Sequence, residues 1–362
     1  MTTSTSAAGA ATTLRAAVIG CGAISNEHLA AIAGSGVSEL VGVCDRSAAA
    51  ARWTGERHGA PWFTDVADLL AAARPDVVHV LTPPRSHGPL AEQCLTAGAH
   101  VLVEKPVAAT TPEYDALAKV ADDAGRVLLE NHNYLCNDNV LTVDGLVAGG
   151  ALGEVCDVEL LLSVDLVDGR FADPLLASPV GHLDGGAVRD FLTHLSYLAL
   201  HYFPGESWDR VDGRWRNATG VAQLGYDDLA AQVGFGDGRA SIRFSSRIKP
   251  ESFRMTVRGT RGTAEIELFQ PYVRVEIPRG PKVLSPLLNH ARNGGAFVGA
   301  AAGGFRNKIL QRSPYHGLHR FVGRLHEALL SGGLLPTTPA EVRRTCLLVD
   351  EIVATVPAEA DR

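Results

Sequence analysis

Two groups of titratable residues in this chain have the types and the spacing that acid–base chemistry needs. The first is Glu104-Lys105-Pro106, which follows the apolar run at 100–103. Proline has no N–H for a sheet ladder and disfavours helical backbone at the preceding residue, so the run is predicted to be a buried strand that ends at Lys105. Open α/β sheets bind ligands at the carboxyl ends of their strands, which predicts a functional site here. For this stretch alone, a strand-to-helix loop with solvated ends is an equal alternative.

The second group lies in the segment 186–203, GAVRDFLTHLSYLALHYF, which is predicted to be a buried helix because most of its circumference is apolar. Asp190, His194, Tyr197 and His201 share one stripe of this helix. A carboxylate beside an imidazole raises the pKa of the imidazole and fixes its orientation, which is a common pairing in general acid–base catalysis. The alternative is a solvated helix face with a surface hydrogen bond between Asp190 and His194. Tyr197 and His201 fit packing or rim positions better than catalytic ones.

The N-terminal part of the chain has the order of elements that binds a dinucleotide. A short predicted strand is followed by Gly20 and Gly22, a predicted helix, and a second strand that ends at Asp45. Gly20 permits a tight turn, Gly22 lets the backbone approach a pyrophosphate at a helix N-terminus, and an acidic residue about 20 positions later can bind ribose hydroxyls. Ser25 stands where a third glycine or alanine is usual, and a tight turn without a ligand is the alternative.

The residues at the end of the second strand bear on the choice of cofactor. Asp45 would accept hydrogen bonds from both ribose hydroxyls and repel a 2′-phosphate, which favours NAD. Arg46 is adjacent and could pair with that phosphate, so NADP stays open. The sequence therefore predicts NAD or NADP, with NAD slightly favoured.

The alternation of strands and helices divides the chain into two predicted domains. Through residue 130, repeated strand–helix units predict an α/β Rossmann domain with a doubly wound parallel sheet. His79 and His100 lie in or beside these strands and are predicted to be core or edge residues rather than ligands. Beyond Gly149-Gly150, short strands follow one another, which predicts a second domain with an antiparallel sheet. The stretch 278–314 is predicted to be a long loop, and two helices follow it.

Composition and charge exclude several classes of function. The net charge of −7 offers no basic surface for nucleic acid or an anionic membrane, and no apolar run approaches the ~18 residues of a membrane span. Residues 1–13 are small and mostly polar, so they are predicted to be a disordered tail rather than a signal peptide. The six cysteines are scattered without a CxxC motif, which predicts reduced thiols in a cytoplasmic protein and no metal site.

Several motifs together resemble the glucose–fructose oxidoreductase / inositol dehydrogenase (Gfo/Idh/MocA) family. They are the glycine–aspartate unit at 20–45, Thr82-Pro83-Pro84 with His87 three residues on, Glu104-Lys105-Pro106, and GGAVRD at 185–190 followed by His194. These motifs cover residues 15–201, and the two C-terminal helices also resemble the end of family members. Glu-Lys-Pro is the most specific of the motifs.

The resemblance implies an architecture. An N-terminal NAD(P)-binding Rossmann domain would occupy 14–132. An α+β domain with a large open, mainly antiparallel sheet, for substrate binding and oligomerisation, would occupy 133–335. The C-terminal helix, 336–362, would pack back against the Rossmann domain.

The resemblance also implies roles for single residues. Lys105 would be the lysine on the nicotinamide side, Asp190 and His194 the acid and the histidine of the family's dehydrogenases, and Glu104 a neighbour of the nicotinamide ribose. Tyr197 stands where the family often has aspartate, and the segment 131–134 replaces one that commonly carries arginine, so the substrate is not carried over from the best-known members. The full cofactor-binding set is Gly20, Gly22, Ala23, Ile24, Asp45, Arg46, Thr82, Pro83, Pro84, His87, Glu104 and Lys105.

The implied activity is reversible hydride transfer between nicotinamide and a secondary alcohol carbon of a sugar, cyclitol or related polyol. It requires Lys105 and His194 to reach the same reactive carbon. Three alternatives stay open: a ketoreductase acting on a nucleotide-linked keto sugar, a redox-neutral enzyme that oxidises a sugar carbon transiently, and a non-catalytic dinucleotide-binding regulatory protein. The intact Lys105, Asp190 and His194 argue against the last. A cytoplasmic homodimer or homotetramer is expected, with no nucleic-acid or membrane partner.

Overall fold

The computed structural model describes residues 13–169, 184–309, 313 and 315–357. The chain divides into two compact units. The first comprises the chain up to Asn131 together with Leu318–Pro339, and the second comprises His132–Gly317 together with the chain from Ala340 onwards. Apart from Thr13, the predicted disordered tail lies outside the described residues. No helix in the described ranges combines the length and the apolar character that crossing a membrane requires.

The first unit is built on a parallel sheet. Over the described residues its six strands have the spatial order β3-β2-β1-β4-β5-β6, and each neighbouring pair is parallel. The inner strands of this sheet are mainly apolar and almost wholly buried, as a sheet covered by helices on both sides requires. The strands are β1 (Leu14–Ile19), β2 (Ser38–Cys44), β3 (Trp62–Phe63), β4 (Val77–Val80), β5 (His100–Val103) and β6 (Leu128–Glu130). The helices that connect them are α1 (Ser25–Gly34), α2 (Ala48–His58), α3 (Val66–Ala73), α4 (His87–Thr96) and α5 (Thr111–Ala124). The prediction of a doubly wound parallel sheet is confirmed.

Local signals set the ends of these helices. Asp65 accepts hydrogen bonds from the N–H groups of the first turn of α3, and Thr110 does the same for α5. At their C-terminal ends, Gly59 and Gly125 end α2 and α5 in the left-handed conformation that glycine adopts without strain. The connections between strands and helices are therefore short and well defined, which fixes the loops at the carboxyl edge of the sheet.

The second unit is built on a large, mainly antiparallel sheet. In the part of the chain that the structure describes, seven strands have the order β13-β12-β11-β7-β10-β9-β8, and β7–β10 is the parallel pair among antiparallel ones. The strands are β7 (Val155–Ser163), β8 (Arg210–Arg216), β9 (Asp228–Phe235), β10 (Gly238–Ser245), β11 (Ser252–Gly259), β12 (Thr263–Glu267) and β13 (Tyr272–Glu276). The helices of this unit are α6 (Asp138–Ala148), α7 (Val188–His201), α8 (Ser285–Ile309) and α10 (Pro339–Val353), whereas α9 (His316–Ser331) lies almost wholly in the first unit. Leu192, Leu195 and Leu198 of α7 pack in one apolar core with the inward side chains of the sheet. The predicted α+β class is confirmed.

The prediction of a long loop over 278–314 is wrong, because most of this stretch is the helix α8. Asn293 explains why a glycine-rich segment is helical here. Its amide oxygen accepts from the N–H of Val275, and its amide nitrogen donates to the carbonyl of Val275, both at 3.0 Å. Asn289, one turn earlier, donates to the carbonyl of Ile277. The helix thus satisfies backbone groups at the edge of the sheet, and this tertiary contact outweighs the low helix propensity of glycine.

The two C-terminal helices differ from expectation in where they pack. The resemblance placed 336–362 against the Rossmann domain, but Leu348, Val349 and Ile352 of α10 lie in the core of the second unit. It is α9 that contributes to the first unit, where Leu329 packs against the core cluster of β1 and α1. Both helices are amphipathic, and an apolar stripe does not specify which sheet it covers.

Candidate active site and dinucleotide site

The turn between β1 and α1 leaves open space beside its backbone where a pyrophosphate would bind. Gly20 has φ of +99°, and a Cβ there would lie 2.9 Å from the carbonyl carbon and oxygen of Leu81, so glycine is required. Gly22 differs, because a Cβ there would meet no atom within 4 Å. Ala23 is exposed and Ile24 half-exposed at the N-terminus of α1, where N–H groups and the helix dipole favour an anion. This turn fits a dinucleotide.

Asp45 follows β2 and is fixed beside the glycine turn. Its Oδ2 accepts from the N–H of Cys21 at 2.9 Å, and its Oδ1 accepts from the N–H of Ser47 at 2.8 Å. A carboxylate has about four acceptor sites, so these two bonds leave capacity for ribose hydroxyls. Arg46 is exposed next to it. The predicted adenosine end of the site is therefore assembled within the first unit.

His87 joins the loops that follow β4 and β5. Its Nε2 lies 2.5 Å from the carbonyl oxygen of Thr82, and its Nδ1 lies 2.8 Å from the carbonyl oxygen of Pro106. The ring is buried, whereas Pro83 is exposed and Pro84 half-exposed. The ring of His87 thus lies between the carbonyl groups of Thr82 and Pro106 and links the two loops along the carboxyl edge of the sheet.

Glu104 comes directly after β5, as the sequence predicts, and its carboxylate is held by two donors. Oε1 lies 2.7 Å from Asn131 Nδ2 and 3.0 Å from His28 Nε2. Burial of this carboxyl favours its neutral form. The hydrogen bond and charge interaction with His28, the hydrogen bond of Asn131 and the charge of Lys105 together outweigh burial and lower the pKa of Glu104 to about 2. Glu104 is therefore a carboxylate next to Lys105 at neutral pH.

A chain of three buried histidines extends from Glu104 through the first unit. His28 on α1, His79 in β4 and His326 on α9 have no exposed surface. His28 Nδ1 lies 2.9 Å from His79 Nδ1, and His79 Nε2 lies 2.9 Å from His326 Nε2. His326 Nδ1 lies 2.9 Å from Ser38 Oγ. We call His28, His79 and His326 the histidine chain. It shows His79 to be a core residue, as predicted, and sequence analysis did not detect its two ring partners.

Because of the histidine chain, we expect acid to destabilise the protein at pH values above those at which carboxylates titrate. Burial lowers the pKa of His79 well below its usual value and that of His326 to about 4. Between pH 6.5 and 4 the unfolded chain therefore binds protons that the native chain does not, and the free energy of unfolding falls as pH falls. Each such histidine contributes up to about 1.4 kcal/mol per pH unit. Urea unfolding at a series of pH values measures this slope.

The test variant is His326→Gln, which should reduce the slope of the unfolding free energy against pH. The control is His290→Gln, at an exposed position on α8, which should leave this slope unchanged. Equal slopes in the wild-type protein and in His326→Gln would contradict the prediction.

The second unit holds His194 with aromatic and amide neighbours. His194 on α7 is half-buried, and its Nδ1 lies 2.9 Å from the hydroxyl of Tyr197. That hydroxyl donates to Asn133 Oδ1 and accepts from the N–H of Tyr134. The direction of this 2.9 Å bond depends on the tautomer of His194. In the tautomer with its proton on Nδ1, that nitrogen donates to Tyr197 and Nε2 can act as a base. Tyr197 is buried and stacks on His132, with ring centroids 4.3 Å apart.

Tyr197 therefore does more than the packing or rim role that its sequence context indicated. It is buried, as a packing residue would be, and it is also the hydrogen-bond partner of His194 Nδ1. The spacing of three residues on a helix was visible in the sequence, but the contacts of the hydroxyl with Asn133 and Tyr134 depend on the distant turn before α6.

Asp190 lies one turn before His194 on α7 and is half-buried. The turn that starts this helix is tightly packed, because a Cβ at Gly186 would lie 2.2 Å from the backbone nitrogen of Tyr226. At the other end of α7, His201 Nε2 lies 2.9 Å from Asp144 Oδ1 on α6. The stripe of four polar residues thus divides into Asp190 and His194 with its partner Tyr197, and a helix–helix contact at His201.

The structure places Lys105 and the whole predicted cofactor set in the first unit, and Asp190 and His194 in the second. Among the described residues, no group of three or more His, Cys, Asp or Glu side chains has an arrangement that could hold a metal ion.

Two family models match the chain. The model described as "Oxidoreductase family, NAD-binding Rossmann fold" matches residues 14–132, and the model described as "GFO/IDH/MocA C-terminal domain" matches residues 140–265. Together they cover about two thirds of the chain.

Curated relatives include a reductase and a dehydrogenase. The chain is 34% identical over 178 residues to dTDP-3,4-didehydro-2,6-dideoxy-alpha-D-glucose 3-reductase of Streptomyces violaceoruber, which is 49% of this chain and 51% of that protein. It is 28% identical over 289 residues to inositol 2-dehydrogenase of Rhizobium meliloti, which is 76% of this chain and 82% of that protein. The match thus spans about half the length of the first of these relatives and most of the second.

Solved structures of similar fold cover nearly the whole chain. The WlbA dehydrogenase from Bordetella pertussis, in complex with NADH and UDP-GlcNAcA, has a TM-score of 0.74 at 21% identity and covers 96% of each chain. KijD10, a 3-ketoreductase from Actinomadura kijaniata in complex with TDP-benzene and NADP, has a TM-score of 0.68 at 21% identity over 95% of this chain and 98% of that one. At these identities the likeness shows the fold. With both family models matched in order, the chain belongs to the Gfo/Idh/MocA oxidoreductase family, and its first unit is an NAD-binding Rossmann domain.

Proposed function

We propose that the protein is an NAD(P)-dependent oxidoreductase that transfers a hydride between nicotinamide and a secondary alcohol or ketone carbon of a sugar, cyclitol or related polyol. The observation that carries this proposal is the presence of two candidate acid–base groups, Lys105 and His194, in a member of this family. Lys105 follows β5 beside an ionised Glu104, and His194 is held by Tyr197 with Nε2 as its basic nitrogen.

The proposed mechanism assigns a separate task to each group. When bound, nicotinamide supplies the hydride acceptor or donor. In oxidation, His194 accepts the proton of the substrate hydroxyl, and Asp190 orients the imidazole and stabilises its charged form. Lys105 binds the same substrate oxygen and stabilises the negative charge that develops there. Tyr197 is a positioning residue, because it holds His194 through Nδ1.

The dinucleotide is proposed to bind along the carboxyl edge of the parallel sheet. Gly20, Gly22, Ala23 and Ile24 would hold the pyrophosphate, and Asp45 the adenosine ribose, with Arg46 available to a 2′-phosphate. Thr82, Pro83, Pro84 and Glu104 would line the nicotinamide end, in a loop arrangement that His87 holds in place.

A ketoreductase acting on a nucleotide-linked keto sugar is the second candidate. It is favoured by the similarity to the dTDP-sugar 3-reductase of Streptomyces violaceoruber. The same residues would serve, with the Lys105 ammonium supplying the single proton that the carbonyl oxygen gains. We also propose a cytoplasmic homodimer or homotetramer without a nucleic-acid partner. The family resemblance supports the oligomer, the free thiols of the cysteines fit a reducing compartment, and the net charge of −7 disfavours nucleic acid.

A substrate screen in both directions tests the proposal. The purified protein is incubated with NAD⁺ or NADP⁺ and a panel of cyclitols, aldoses and nucleotide-linked sugars, and with NADH or NADPH and the corresponding ketones, while NAD(P)H absorbance is followed. We expect turnover of at least one compound, with NAD(H) preferred because Asp45 repels a 2′-phosphate. The variant Lys105→Met is the control for background activity. Dinucleotide binding without turnover of any compound would support the non-catalytic regulatory alternative instead.

A further inference from the structure

Every ring nitrogen of the histidine chain has a hydrogen-bond partner, so six buried polar atoms are all satisfied. The residues around His79 in β4 are all valine, which is what the core of a parallel sheet ordinarily contains. Each ring nitrogen that lost its partner would cost about 1–3 kcal/mol. A network that is costly when incomplete, and that begins at a carboxylate of the proposed active site, points to a role beyond packing.

The histidine chain has two ordered states that differ by one proton. With Glu104 ionised, His28 Nε2–H donates to it, and the other donors follow in one direction: His79 Nδ1–H to His28, His326 Nε2–H to His79, and Ser38 O–H to His326. In the second state Glu104 carries a proton and donates to His28, and every donor is reversed. Each of the four protons has then crossed one hydrogen bond, and Ser38 has taken a replacement proton.

The far end of the histidine chain lies at two partly exposed serines. Ser38 begins β2, and its Oγ lies 2.5 Å from Ser35 Oγ, with both side chains partly exposed. At the other end, Lys105 and Asn131 are the charged and polar neighbours of Glu104. The helices α1 and α9, which carry His28 and His326, are also joined by a second pair of side chains. His319 Nε2 lies 3.0 Å from Glu27 Oε2.

We propose that the histidine chain is a proton shuttle between Glu104 and the surface at Ser35 and Ser38. This inference rests on the second candidate function, the reduction of a keto sugar, with Lys105 rather than His194 as the group that protonates the carbonyl oxygen. In reduction, the carbonyl carbon gains a hydride and its oxygen gains a proton from the Lys105 ammonium. The N–H bond breaks, and Lys105 regains a proton from Glu104 as the chain passes one proton inward from Ser38, which is refilled by water. Hydride, proton and charge therefore balance in the reductive direction.

The shuttle works while substrate and cofactor shield Glu104 from water. Continuous turnover in one direction leaves each ring in its other tautomer. Glu104 is a carboxylate again once it has recharged Lys105. The starting tautomers return when Glu104 takes a proton from water after the product has left, and the chain passes one proton outward, which Ser38 releases to water. Substitutions in the histidine chain are therefore expected to act on proton transfer and not on dinucleotide affinity.

The tautomers can be read without any turnover. In the full-length protein labelled with ¹⁵N-histidine at neutral pH, two-bond nitrogen–proton spectra should show His28 and His326 protonated on Nε2 and His79 protonated on Nδ1. A different order of tautomers, or a doubly protonated His79, would overturn the resting state from which the shuttle starts.

The kinetic test uses His79→Gln, whose amide can donate and accept but cannot pass a proton on. With a substrate found in the screen, kcat should fall at least about tenfold, and the affinity for NADH should stay unchanged. In the wild-type protein, a plot of kcat against the fraction of D₂O should be curved, because several protons move in the same step. In His79→Gln this plot should be linear. His100→Gln is the matched control, because His100 begins the neighbouring strand β5 and accepts from the N–H of Val127 outside the chain.

Ser38→Ala is the second variant, and it removes only the terminal donor at a partly exposed site. It should show the same loss of kcat and the same linear D₂O dependence, whether or not His79→Gln folds. If the wild-type protein turns over a substrate and both variants have the same kcat as the wild type, only the shuttle is overturned. A wild-type protein that binds NADH but turns over no compound overturns the proposed function.

Discussion

Lys105→Met and His194→Ala each abolish turnover while the protein still binds NADH: this is the expected result with the largest effect. Lys105→Met removes the positive charge that stabilises the reacting oxygen, and His194→Ala removes the base that exchanges its proton. Single general acid–base groups contribute about 10²–10⁴-fold to the rate, so kcat should fall by at least two orders of magnitude in each variant. Steady-state kinetics measures kcat, and fluorescence titration measures the dissociation constant of NADH.

The chain offers a matched control for each variant. Lys119→Met changes an exposed lysine of α5 that pairs with Asp123. His201→Ala changes another histidine of α7, one that bonds Asp144 instead of lying beside Tyr197. Both controls should keep the wild-type kcat within about twofold. Wild-type rates in Lys105→Met and His194→Ala would remove the proposed mechanism and leave a dinucleotide-binding fold.

Asp45→Asn should weaken NAD(H) binding by about 10- to 100-fold and shift the preference towards NADP(H). The aspartate accepts from the N–H groups of Cys21 and Ser47, and a neutral amide cannot accept on both of its atoms. Hydrogen bonds to a charged group contribute about 1.5–3 kcal/mol, and losing one accounts for the weaker binding. Removing the carboxylate also removes its repulsion of a 2′-phosphate, so the two cofactors should become closer in affinity.

Isothermal titration with NADH and NADPH measures both affinities in the wild-type protein and in Asp45→Asn. Asp68→Asn, an exposed change on α3, is the control for a lost surface charge. An unchanged affinity for NADH in Asp45→Asn would place the ribose elsewhere.

The elements that carry the proposed chemistry could be predicted from local sequence. Pro106 ends the strand before it, and β5 accordingly stops at Val103. The apolar helix around His194 was predicted over 186–203 and is found as Val188–His201. Both depend on neighbours within a few residues, where periodicity and backbone chemistry are decisive.

The features that escaped prediction depend on contacts between distant parts of the chain. His79 and His326 are 247 residues apart, so no local pattern connects them. The helix α8 forms in a glycine-rich segment because Asn293 binds the backbone of Val275, which sequence propensity does not register. Likewise, the apolar stripe of α10 does not show which of two sheets it covers.

The discontinuous make-up of the first unit has a consequence for how the protein is made on the ribosome. Its sheet is complete once residue 130 has emerged, yet the side chains of His326 and Leu329 that finish its interior are translated almost two hundred codons later. Until then His79 Nε2 lacks its partner His326, and the part of the nascent sheet that α9 contacts stays uncovered. The amino-terminal third of this polypeptide therefore stays incomplete until the helix that carries His326 and Leu329 has been made.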